Sequence, residues 1–159
     1  MKYFGLELEE NKSRLIKFGR YADEHCRKEG KKPDTFTFLG FTHYCSKSRN
    51  GKFRVKRKTS KKKFAKKCKE VHRWISDMRT LPVAEIIKKL NQMLVGYYHY
   101  YGITDNSKAI GDFCFRVRRS LFFWLNRRSQ KKSYTWDAFD MMLKEHPLAR
   151  PKIYVSIYG

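Results

Sequence analysis

Acidic residues are scarce in this chain. Fifteen Asp and Glu stand against thirty-seven Lys and Arg, which leaves a formal charge of +22 over 159 residues. A surface meant only for solubility mixes both signs, so this imbalance excludes an ordinary charge-balanced enzyme surface and points to a polyanionic partner. Proline (four) and glycine (nine) are also sparse, which excludes a low-complexity linker. The four cysteines, Cys26, Cys45, Cys68 and Cys114, include no CxxC pair and have no secretory context. That excludes a disulfide framework, and reduced thiols in a cytoplasmic protein are expected. No run approaches the ~18 apolar residues of a membrane span. The opening MKYFGLELEE has neither the long apolar stretch nor the small-residue cleavage site of a signal peptide. Membrane-surface binding would need a clean apolar helix face left over, and the apolar faces here are needed for a core.

What is present is enough to fold. Hydrophobic residues make up 41% and aromatics 16%, too many for a disordered basic tail. The charge is clustered. From Thr35 to Lys69 there is no acidic residue, and Lys47–Lys69 holds thirteen Lys and Arg. A second group, Arg116, Arg118, Arg119, Arg127, Arg128, Lys131 and Lys132, lies far along the chain. Cationic clusters interleaved with aromatics suit nucleic acid, where cations meet phosphates and rings stack on bases.

The periodicity changes midway. Leu6 and Leu8 alternate with Glu7 and Glu9, and Arg14–Phe18 alternates again, which predicts a short hairpin-like piece over residues 2–20. Tyr21–Lys32 reads as a polar loop. Thr35–Tyr44 is rich in β-branched and aromatic residues and predicts a strand, with Gly40 at a bulge or close approach. Lys52–Arg57 alternates apolar and basic residues like a second strand. From Thr59 or Ser60, a cap, a helix is predicted to Met78, with Phe64, Cys68, Val71, Ile75 and Met78 inward. Pro82 opens a second helix whose inward stripe is Val83, Ile86, Leu90, Met93, Leu94, Tyr97 and Tyr101, stopped at Gly102. Asn106 or Ser107 caps a third, with Ile110, Phe113, Cys114, Val117, Leu121 and Trp124 inward. Thr135 caps a shorter fourth, ended by Pro147, and an extended tail follows. The predicted fold is α+β and mainly α: a small antiparallel β piece at 1–57, a bundle of three to four helices at 58–146, and a tail at 147–159.

Four stretches carry a family resemblance. Phe38–Phe64 (FLGFTHYCSKSRNGKFRVKRKTSKKKF) closely resembles the reverse transcriptase/maturase proteins of bacterial group II introns. Gly5–Arg20 is similar to that family's late palm segment, and Lys88–Gly102 with Arg118–Trp136 resembles its thumb, or maturase-specific X domain. The family's catalytic YxDD tetrapeptide is not seen. Tyr21-Ala22-Asp23-Glu24 falls after the late palm segment and is read as structural. The resemblance therefore implies the C-terminal part of such a protein, bacterial and cytoplasmic, without the zinc-bearing nuclease module that some members carry. It implies a non-enzymatic role for this part, binding group II intron RNA to assist splicing and steadying an RNA or RNA/DNA duplex. Magnesium is expected only with an intact polymerase palm, and Lys12, placed like a family lysine near the incoming nucleotide, would have nothing to assist. Rival readings are one half of a split reverse transcriptase completed by a separate palm polypeptide, an inactive mobile-element remnant, and a general basic RNA chaperone.

Site candidates follow from chemistry and resemblance together. Lys56, Arg57, Lys58, Lys61, Lys62, Lys63 and Lys66 sit at a strand-to-helix junction, where a helix N-terminus adds backbone N–H donors and a positive end. Arg116, Arg119, Arg127 and Arg128, expected opposite the third helix's apolar stripe, form a second phosphate row. Tyr98 and Tyr100 are stacking candidates, being off the stripe of Tyr97 and Tyr101. Phe38, Leu39, Gly40 and Phe41 resemble the family's primer-grip hairpin, with Phe38 and Phe41 expected on opposite faces. His25, Cys26, His43 and Cys45 supply soft ligands, as does the pair Cys68 and His72, but in no known zinc spacing, so no metal is expected.

Overall fold

The computed structural model describes residues 14–129 and 133–157. The chain divides into two compact units, Met1–Arg57 and Lys58–Gly159. A small three-stranded antiparallel sheet precedes a run of helices, so the fold is α+β and mainly α.

In the first unit most of the expected N-terminal hairpin lies outside the described residues. Residues 14–18, where alternation predicts strand, have no regular structure, and Leu15 is fully exposed. The polar stretch expected as a loop is instead a helix, α1 (Arg20–Lys28). Few of its residues are apolar, so no hydrophobic stripe announces it. It is carried by pairs one turn apart: Arg20–Glu24 at 3.5 Å, Asp23–Arg27 at 2.9 Å and His25–Glu29 at 3.3 Å.

The β-rich stretch is two strands rather than one, β1 (Phe36–Phe38) and β2 (Phe41–Lys47), and β3 (Phe53–Thr59) completes the order β1-β2-β3. Phe38 pairs directly with Phe41 across a two-residue turn of Leu39 (φ 46°) and Gly40 (φ 79°). Two positive φ values in a two-residue loop are the mark of a type I′ hairpin turn. A bulge-tolerant glycine and a hairpin glycine look alike in composition, so composition read one strand where the family resemblance implied the hairpin that is present. Directly paired residues share one face, so Phe38 and Phe41 lie on the same side rather than on opposite sides.

In the second unit α2 (Lys61–Met78) begins at Ser60, whose hydroxyl accepts from Lys63 N, and α3 (Val83–Tyr101) begins after Pro82. A 3₁₀ turn (Thr104–Asn106) leads into α4 (Ser107–Leu125), and Thr135 caps α5 (Trp136–Glu145). The core joins Val71 and Ile75 of α2, Ile86, Leu90, Leu94, Tyr97 and Tyr98 of α3, Ile110, Phe113, Val117, Leu121 and Leu125 of α4, and Phe139 of α5. Most of them recur at three and four residues, the helical stripe read from the sequence; Ile87, Tyr98 and Leu125 are also buried and lie outside that reading.

Two polar devices fix the ends of these helices. Asn106 stands at the cap position of α4 but makes no cap bond. It is almost fully buried, accepts from Thr59 N (2.8 Å), and donates to Thr59 Oγ1 (2.7 Å) and Tyr101 O (2.9 Å). It thereby ties the start of α2 to the end of α3. The tail returns along α3: Tyr154 N and Val155 N both donate to Gly102 O, and Ala149 N donates to Asn91 Oδ1 (2.7 Å). A Cβ at Gly102 would press on the carbonyl oxygens of Tyr98 and Lys152. The glycine is there for this close approach, and its φ of −78° needs no special freedom.

Candidate nucleic-acid interface

The first turn of α2 carries Lys61, Lys62 and Lys63, all exposed, and no acidic residue. A helix N-terminus has a partial positive charge and favours acids nearby, each worth about 0.3–1 kcal/mol. Three lysines oppose that preference, and a bound anion would relieve the conflict. Further along the helix Lys62, Lys66, Lys69 and Arg73 line one shallow hollow with Glu70. They recur at four, three and four residues, so they form a cationic stripe on one face of α2. Lys66 and Lys67 hold Glu70 loosely, at 3.9 and 3.4 Å, and exposed pairs of this kind exchange readily. Lys69 and Arg73 were not singled out from the sequence, although their period was readable there.

The strand side of the junction is more engaged. Lys58 is exposed, whereas Lys56 and Arg57 are half-buried, and Arg57 Nε donates to His43 Nε2 at 3.3 Å.

On α4 the expected arginine row splits. Arg116 and Arg119 are exposed and lie over the rings of Phe64 (5.5 Å) and Phe115 (5.8 Å). Both border an open groove of about 700 Å³ between α2 and α4, together with Cys68, Lys69, His72 and Asp112. Arg127 is exposed over Phe123, 3.4 Å from the ring centre. Arg128 departs from the expected row. Past the end of α4 the chain turns back, and Arg128 donates to Leu81 O at 2.8 Å. Burial lowers its pKa. It ties the turn after α4 to the α2–α3 connection and stands apart from the exposed Arg116, Arg119 and Arg127.

The tyrosines also divide differently from expectation. Tyr98 is fully buried and donates to Ala149 O at 3.1 Å. Burial pushes its phenol well above the usual tyrosine range, as it does for Tyr97. Tyr98 is therefore a core residue and drops out as a stacking candidate. The sequence places it one position off the stripe, but α3 is covered on that side by the returning tail. Tyr100 is half-exposed and borders a hollow of about 470 Å³ with Lys63, Lys66 and Lys67.

The primer-grip-like segment sits at a hairpin tip, where Phe38 and Leu39 are more than half exposed. The soft-ligand candidates do not converge. His25 pairs with Glu29, Cys26 is buried, His43 stacks on Phe36 at 4.7 Å, and Cys45 Sγ reaches Gly19 O. His72 is held at both nitrogens: Trp124 Nε1 donates to its Nε2 (3.2 Å) and its Nδ1 lies 3.0 Å from Ser120 Oγ. Accepting at Nε2 makes Nδ1 the protonated nitrogen. Burial raises the Cys68 thiol, against the pull of Arg116. Among the described residues no group of three or more His, Cys, Asp or Glu is placed to hold a metal. No helix of the described residues is long and apolar enough to cross a membrane.

A helical module with a lysine-headed helix packed on an arginine-bearing one now meets its family. Residues 61–140 match the group II intron maturase-specific domain, and the chain belongs to that family. The match runs from the first lysine of α2 into α5, so the cationic stripe and the α2–α4 groove both lie inside it. The chain thus corresponds to the C-terminal part of a group II intron maturase/reverse transcriptase, as the sequence motifs indicated. No curated protein and no solved structure matches.

Proposed function

We propose that this protein is an RNA-binding thumb/maturase module that holds group II intron RNA to assist its splicing and steadies the primer-template duplex. The observation that carries the reading is the head of α2: Lys61, Lys62 and Lys63 stand against the helix dipole with no acid beside them. The stripe of Lys62, Lys66, Lys69 and Arg73 extends that charge along one face. An A-form duplex offers phosphates, 2′-hydroxyls and shape rather than readable base edges, and a row of flexible lysines suits phosphates of any sequence. Lys56, Arg57 and Lys58 precede the stripe in the chain. Arg116 and Arg119 on α4, with Arg127 in the turn after it, provide a second set of cations, and Tyr100 a ring beside the first.

In this reading the chain performs no chemistry itself, and magnesium enters only with a polymerase palm. The hairpin tip supports a second reading, because Phe38 and Leu39 are exposed apolar residues on a turn strained at Leu39. That is suited to a primer-grip-like contact or to docking of a separate palm polypeptide.

The test is a triple substitution, Lys61→Gln, Lys62→Gln and Lys63→Gln, titrated with RNA over a salt series. The expected result is weaker binding to every RNA, with the log–log salt slope reduced by about one for each phosphate left unneutralised. Unchanged affinity and slope would remove this site.

A further inference from the structure

The outer face of α4 carries a pattern that phosphate binding alone does not require. Phe115, Arg119 and Phe123 recur every four residues along α4, and Arg127, in the turn that follows the helix, continues the row by lying over Phe123. All four are exposed, Phe115 at 55% and Phe123 at 38%. Each ring has a guanidinium over it: Arg119 at 5.8 Å from Phe115, and Arg127 at 3.4 Å from Phe123. Arg127 is further steered by donating to Phe123 O at 3.3 Å.

Two exposed phenylalanines on one face are costly to leave in water. They contribute nothing to the core, whose α4 residues are Ile110, Phe113, Val117, Leu121 and Leu125. A protein-docking face would gather apolar residues and deplete charge at its centre. Here a cation follows each ring, and the charge is retained. Alternating rings and guanidinium planes are what unpaired nucleotides use: bases stack on the flat faces, and phosphates meet the arginine N–H groups. The groove beside Phe115 adds room for a displaced base, with Lys69 and Arg116 outweighing Asp112 at its rim. A duplex cannot use this stripe, because its bases are already stacked inside.

We infer that the Phe115–Arg119–Phe123–Arg127 row, on α4 and the turn that follows it, is a binding site for unpaired, base-exposed RNA, separate from the phosphate-binding stripe of α2. This rests on the RNA-binding reading above and names the RNA element that α4 would take. The module would then hold a helix of a folded RNA on α2 and an adjoining single-stranded loop or junction on α4.

The test uses the full chain and three probes of equal length: an unstructured single-stranded RNA, its abasic counterpart, and an RNA duplex. Wild type is expected to bind the base-bearing strand more tightly than the abasic one. The double variant Phe115→Ala, Phe123→Ala is expected to lose about tenfold or more on the base-bearing strand, since each stacked base is typically worth about 5- to 150-fold. Its binding to the abasic strand and to the duplex should stay within about twofold of wild type. Phe115→Tyr with Phe123→Tyr should restore the loss, which separates stacking from damage to the fold. No base preference in wild type, equal losses on all three probes, or no loss at all would overturn the inference. Failure of wild type to bind even the duplex would instead overturn the RNA-binding reading itself.

Discussion

Asn106 shows how much one side chain can hold. It makes three hydrogen bonds in a site only 1% exposed, bridging Thr59 and Tyr101. Asn106→Ala would leave Thr59 N buried without its acceptor and take one of two donors from Tyr101 O, which still accepts from Ile103 N. An orphaned buried donor costs about 1–3 kcal/mol, and a loss of that size in unfolding free energy is expected by denaturant titration. A loss near zero would show that water replaces the amide. The sequence marks Asn106 only as a helix-cap residue, because capping is a local chemistry with a known spacing. Its real partner Thr59 lies 47 positions away, and nothing local encodes such a pairing. Arg128 and Tyr98 mislead for the same reason. Both look outward on a helical wheel, and both are claimed by chain that returns from elsewhere: the α2–α3 connection for Arg128 and the tail for Tyr98.

Elements with a strong apolar period were legible and those without one were not. α2 to α5 follow their stripes and caps closely, with Ser60 and Thr135 capping as read. α1 has ion pairs instead of a stripe, and the β1–β2 turn hides within a run of strand-forming residues. The sheet also carries a pH response. His43 stacks on Phe36 and accepts from Arg57, and its pKa is lowered from 6.5, first by burial and then by the charge of Arg57. The fold therefore favours neutral imidazole, while the unfolded chain takes up a proton near pH 6.5. Stability from this group is complete above that pH and is lost as the pH falls below it toward the folded value. The melting temperature is expected to fall as pH is lowered from about 7 to about 5, and His43→Phe, which keeps the ring, is expected to reduce that dependence. An identical pH profile in the variant would assign the response to other groups.

At the scale of the whole molecule the governing fact is a charge of +22 on a chain that nonetheless builds an apolar core. Like charges at this density oppose compaction, so a polyanion that binds the folded state should stabilise it by mass action, more strongly at low salt. The charge and its two clusters were plain in the sequence. The face each cluster occupies was not, since it depends on which residues of α2 and α4 the core claims. Lysines and arginines on two helices of a maturase-specific domain make RNA the natural polyanion, and the family makes intron RNA the natural RNA. The most direct measurement is therefore the affinity of the full chain for a structured group II intron RNA and for a plain RNA duplex of equal length, across a salt series. Binding to both is expected to fall steeply with salt, with the intron RNA held more tightly at every salt. Equal affinities would contradict selective recognition of intron RNA, and no binding to either would contradict an RNA-binding role altogether.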